Sequence, residues 1–162
     1  MKTVDINGKE YPVYATVAEA DDYFAGFFNS DWEDIEQADK PKLLVSATRA
    51  IDRGNYAGEK VDSSQELEFP RIIYHEQTSD KILTEACCEE ALAIYNWDSA
   101  TGCDISGIKS MKVQDTSIEF DGNQEKKQFK SENANKLLYP YFEFGVEIGY
   151  CANKNFTGFE KK

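Results

Sequence analysis

The chain contains a single histidine, His75, and two methionines, and none of its four cysteines stands in a C-x-x-C pair. Imidazole and thiolate ligands are therefore too few, and too widely spaced, to predict a zinc site. No apolar run approaches the ~20 residues needed to cross a bilayer. The first residues, Met1 to Tyr14, lack the apolar core of a signal peptide. The expectation is synthesis in a reducing cytosol, where structural disulfides do not persist, with no membrane contact. Also missing are a Gly-rich phosphate loop, H-E-x-x-H, G-x-S-x-G, and any carboxylate pair distinct from ordinary surface acids. His75 reads as a loop residue rather than a general base. No catalytic residue, cofactor or metal ligand is predicted, and an enzyme is the class these residues favour least.

Cation is the other shortage. Eighteen Lys and Arg stand against thirty Asp and Glu, for a net charge of -12 over 162 residues. Such a chain is repelled by phosphate backbones unless its charges are segregated. They are partly so. Residues 19 to 39 carry Glu19, Asp21, Asp22, Asp31, Glu33, Asp34, Glu36 and Asp39 with no cation among them, whereas Lys109 to Lys136 is richer in lysine. Two solvated faces would explain this. So would a molecule with ends of opposite sign, suited to docking with copies of itself or with a partner.

What is present reads mostly as helix. Asn7-Gly8, between weakly alternating residues, suggests a hairpin or ordered arm over 1–15. Thr16 and Glu19 form a capping box that opens a helix from Val17 to about Phe27, with Ala20, Tyr23, Phe24 and Phe27 on one face. Trp32 in the next loop is either a buried anchor or, beside its acids, an interface hot spot. A second helix from about Asp39 tolerates Pro41 in its first turn. It buries Leu43, Leu44, Ala47, Ala50 and Ile51, and it ends in a left-handed cap at Gly54-Asn55. A crossing loop pinned by Leu67 and Phe69 follows, because Pro70 holds Phe69 extended.

Thr78, Ser79 or Asp80 caps a third helix that is apolar nearly all round and ends before Gly102. Vicinal Cys87-Cys88 lies inside it and reads as core packing. At least one of Glu89 and Glu90 is partly buried there, needing a partner such as Arg49 or Arg71. Met111, Val113, Ile118 and Phe120 fit a hairpin that needs something to pack on. Asn133 to Phe144 gives a last helix shortened or kinked at Pro140. The fold class is mainly α: a bundle of about four helices with a small β-hairpin and an extended C-terminal tail. Residues 1–144 form the domain and 145–162 the tail.

Several segments, in order, resemble a phage family often labelled DnaT-like single-stranded DNA-binding protein, related to the head–tail connector (adaptor) proteins of tailed phages. They are Thr16-Val17-Ala18-Glu19-Ala20-Asp21-x-Tyr23-Phe24, Trp32, Ala47-Thr48-x-x-Ile51-Asp52 and Tyr56-x-Gly58-x-Lys60. Ser64-Gln65-x-Leu67-x-Phe69-Pro70-Arg71, Ala86-x-Cys88-Glu89-x-Ala91-Leu92, Gly107-Ile108-Lys109-Ser110-x-Lys112-Val113 and Leu137-Leu138-x-Pro140-Tyr141 complete the match. Phe69 stands where the family usually has Trp, and Ile73-Tyr74 where it often has Ile-Pro.

The resemblance implies a virion protein made in the host cytoplasm. It would form a ring, commonly a dodecamer, between a portal protein and a tail-side completion or stopper protein; its oligomeric state in isolation is left open. DNA would pass through the channel of that ring. The interface residues would be Trp32, Lys109, Lys112, Ile118, Phe120, Tyr141 and Phe144; Arg49, Phe69, Pro70, Arg71 and Glu89 would be structural. The alternative is single-stranded DNA binding, which wants a basic groove with stacking aromatics; Phe120, Phe129, Tyr139 and Tyr141 lie near lysines.

Overall fold

Asn7 and Gly8 both take left-handed backbone, with φ of 54° and 79°, and close a hairpin between β1 (Lys2–Ile6) and β2 (Lys9–Val13). Two successive positive φ values give the turn whose twist suits adjoining strands. The fold is that of a computed structural model, which describes residues 2–28, 30–99, 110–113, 116–119 and 128–143. Val4 and Val13, on one face of the hairpin, pack against Val45 of the second helix.

Thr16 caps α1 (Val17–Phe24) by accepting the Glu19 N–H at 3.3 Å, while the Glu19 carboxylate takes the Thr16 N–H at 2.9 Å. The helix stops a turn earlier than Phe27, ahead of Gly26, whose backbone freedom makes helix costly. α2 (Lys40–Asp52) begins with Pro41 in its first turn, where its missing N–H costs nothing. Its end differs from expectation. Arg53 is right-handed, and neither Gly54 nor Asn55 is among the residues with positive φ. Gly54 instead gives room to the Tyr56 ring, which a Cβ would strike. The Tyr56 hydroxyl then donates to the Ile51 carbonyl at 2.7 Å.

The mainly-α bundle with one hairpin is overturned here. The segment expected to be a plain crossing loop holds a three-stranded antiparallel sheet of β3 (Glu59–Lys60), β4 (Arg71–Ile73) and β5 (Glu76–Gln77), in that order. With the β1–β2 hairpin, and a second hairpin of β6 (Ser110–Val113) and β7 (Thr116–Glu119), the architecture is mixed α and β. Strands of two or three residues are too short to show alternation, so nothing in the sequence marked them. The Phe69-Pro70 peptide bond that leads into β4 is cis.

α3 (Asp80–Ser99) is the centre, packing on α1, on α2, and on α4 (Glu132–Leu138). Its Ala86, Cys87, Cys88 and Ala91 are fully buried, and these small side chains let neighbouring helices approach closely. Leu44, Ala47 and Ile51 of α2 and Ala134 and Leu138 of α4 complete the same cluster. Pro140 falls in a 3₁₀ turn, Tyr139–Tyr141, that continues α4. Phe142 beyond it bridges back to Tyr56, ring against ring at 5.7 Å. The expected tail over 145–162 lies outside the described residues.

Candidate docking surfaces

Two buried polar networks hold the surfaces in place. Tyr14 donates its hydroxyl to Asp52 at the end of α2, and the same oxygen accepts the Phe69 N–H at 3.1 Å. Asp52 also takes the Glu68 N–H at 3.1 Å. Burial, then the Asp52 carboxylate, hold the Tyr14 hydroxyl far above its ordinary titration range, so it stays a donor. Arg71 donates Nε to the Ala57 carbonyl at 2.9 Å and Nη2 to the carbonyls of Gly58 and Tyr56, while Nη1 pairs with Glu68 at 2.7 Å. One planar guanidinium thereby fixes the 56–58 turn against the 68–71 strand entry.

The buried glutamates have other partners than the arginines expected. Glu90 accepts the backbone N–H groups of Lys130 and Ser131, and Glu89 accepts the Tyr23 hydroxyl and the Asn133 side-chain amide. Arg49 is exposed, its guanidinium 6.0 Å from the Tyr11 ring. Phe69 packs edge-on to Tyr14 and Tyr56. The Cys87 thiol touches the Thr48 hydroxyl at 3.6 Å, and burial pushes it up to about 11, which leaves it protonated and inert. Among the described residues no group of His, Cys, Asp and Glu could hold a metal, and no helix is long and apolar enough to cross a membrane.

Trp32 is the anchor and not an exposed contact. It is 1% exposed, stacks on Phe24 with centroids 5.1 Å apart, and donates Nε1–H to Asp21 at 2.8 Å. Tyr141 is half-buried against Phe69. Lys109, Phe120 and Phe144 lie outside the described residues. Lys112 and Ile118 belong to β6 and β7, where only the strands are described.

The exposed apolar side chains are elsewhere. Phe27, half-exposed with its ring on Tyr23 and Phe24, and Phe28, 94% exposed, follow α1 in a stretch of chain that also carries exposed Asp22, Asp31, Glu33, Asp34 and Glu36. Val61, Ile72 and Tyr74 form a second set at the three-stranded sheet. Tyr74 and His75 make the two-residue turn from β4 to β5 with φ of 52° and 70°, so a bulky aromatic is held outward on left-handed backbone. A cleft of about 420 Å³ lies between the first hairpin, the Leu67–Pro70 loop and the start of α3; Lys2 in its wall pairs with Glu19 and Asp80.

At the far end of α2 stand Lys9, Arg49 and Arg53, all exposed, with the Tyr11 ring 5.0 Å from Lys9 Nζ. Arg49 and Arg53 share a face by their i, i+4 spacing, a signal that was present in the sequence.

A small domain of mixed α and antiparallel β structure, with an acidic, phenylalanine-bearing segment and a basic, tyrosine-bearing one, is the class that fold and surface define. The chain belongs to the family described as "Putative DnaT-like ssDNA binding protein", which it matches over residues 7–156. No curated protein and no solved structure matches it.

Proposed function

We propose that this protein works by docking other macromolecules, as a head–tail connector subunit that joins a portal to a tail-side completion protein in a ring. The observation that carries the reading is how its cations are used. Lys2, Lys40, Lys42, Lys60, Arg71, Lys81 and Lys136 each pair with a carboxylate of the same chain. A phosphate backbone meeting any of these seven would have to displace its partner, within a chain of net charge -12. A protein surface asks for no such displacement.

Single-stranded DNA binding is the second reading, and the family's description supports it more directly than it supports the first. Lys130 lies over the Trp97 ring at 5.2 Å, an aromatic–cation pair of the kind stacked bases use. One experiment separates the two. The full chain is titrated with a fluorescent oligothymidylate over a salt series, and separately incubated with a portal protein from the same source, the product being read by native mass spectrometry and electron microscopy. A stoichiometric ring on the portal, with no anisotropy change on the oligonucleotide, is the expected result. Oligonucleotide binding that weakens steeply with salt, without portal association, would establish the second reading instead.

A further inference from the structure

We infer that the two ends of α2 are complementary and that the protein docks head to tail with a second copy of itself through them. The inference deepens the connector reading and rests on it only for where the contact is used. Thirteen residues of helix separate the ends by about 20 Å. The acidic end, the stretch of chain that leads into α2, carries Phe27 and Phe28 and then Asp31, Glu33, Asp34 and Glu36, all exposed. The cations nearest in sequence are committed: Lys40 is buried against Asp21 at 2.8 Å and Lys42 holds Asp39 at 2.7 Å.

The basic end offers Lys9 and Arg49, 5.0 Å and 6.0 Å from the Tyr11 ring, with exposed Arg53 one turn beyond Arg49. Nearby acids do not cancel it. Asp5 and Glu10 pair with each other in the hairpin register and so lie on the strand face opposite Lys9 and Tyr11, while Asp52 is turned inward to Tyr14. Carboxylates meet guanidinium groups bidentately, and phenyl faces lie well against them, so one end supplies what the other binds. The α2 dipole favours the same polarity, acids before its N-terminus and arginines at its C-terminus. Because the two patches differ, the contact is heterologous and propagates into a ring or a filament.

Two full-length variants test it. One carries Asp31→Lys, Glu33→Lys and Asp34→Lys; the other carries Lys9→Glu, Arg49→Glu and Arg53→Glu. All six side chains are exposed, and circular dichroism confirms that each variant is folded. Sedimentation velocity over a concentration series reads self-association. The wild type is expected to associate, less so in high salt, and each variant alone to associate at least about tenfold more weakly. An equimolar mixture restores association, since each reversed patch finds an opposite one. Phe28→Ser, which alters no charge, weakens association in the same assay.

Wild type that stays monomeric at the highest concentration, variants that associate like wild type, or a mixture no better than its parts would overturn the inference. The connector reading fails separately. If the portal ignores a chain that self-associates through these ends, that reading falls and the contact stands. If the portal takes up charge-reversed variants as well as wild type, the contact has no place in the ring and the connector reading stands.

Discussion

The carboxylate of Glu90 accepts the backbone N–H of Ser131 at 2.8 Å, tying the middle of α3 to a residue 41 positions later in the chain. The neighbouring N–H of Lys130 reaches the same carboxylate at 3.1 Å, and Ser131 is the N-cap of α4. Glu90→Ala would strand two N–H donors at that junction. The expected loss is about 2–4 kcal/mol, read from urea midpoints.

The same glutamate gives stability a pH dependence. Burial raises its folded value above the ordinary 4.5, although the two N–H donors oppose the shift. The folded state therefore holds the proton more tightly than the unfolded one. The contribution of Glu90 is present below 4.5 and is lost as pH rises through its higher folded value. Glu90→Gln mimics the protonated form and should flatten stability across that window. Glu19 moves the other way: burial would raise it, but the Thr16 N–H and Lys2 outweigh burial and lower it. Its contribution is lost as pH falls below the ordinary value, so Glu19→Gln should flatten the acid limb instead.

Arg71→Lys keeps the charge and loses the fork. A single ammonium cannot reach the carbonyls of Tyr56, Ala57 and Gly58 together with Glu68. The expected cost is about 2 kcal/mol in a denaturant titration, with the mean residue ellipticity of the helices unchanged.

Among the described glycines, Gly58→Ala should be the most damaging substitution. Gly58 has φ of 72°, and a Cβ there would strike the Ile72 carbonyl oxygen across the β3–β4 pair. Strain and clash together predict a loss of about 2–4 kcal/mol in thermal unfolding. Gly8→Ala, with φ of 79° but open space around it, should lose only the backbone share of that.

At the β4–β5 turn the sign reverses. Tyr74 and His75 occupy left-handed positions that Asn and Gly fill at lower cost. The pair Tyr74→Asn and His75→Gly is expected to stabilise the fold by about 1 kcal/mol, seen as a higher melting temperature. A lower one would show that the two side chains contribute contacts beyond the turn.

Thr16 with Glu19, Asn7 with Gly8, and Pro41 at the head of α2 were legible in the sequence because each signal is complete within four residues and needs no distant partner. The burial of Ala86, Cys87 and Cys88 was legible too, since an all-round apolar helix has nowhere else to go. Tertiary structure alone decided the rest. Which of Glu89 and Glu90 is buried deeper, and on what partner, is decided only where the chain before α4 brings the Lys130 and Ser131 N–H groups to Glu90, and Arg71 could have served either glutamate until the 56–58 turn offered three carbonyls at once. Phe27 keeps to the stripe its period predicts, its ring on Tyr23 and Phe24, but α1 ends before it and leaves it half-exposed. The β3–β5 sheet exists because chain ends separated by ten residues meet, and pairing at that separation leaves no periodic trace in strands this short.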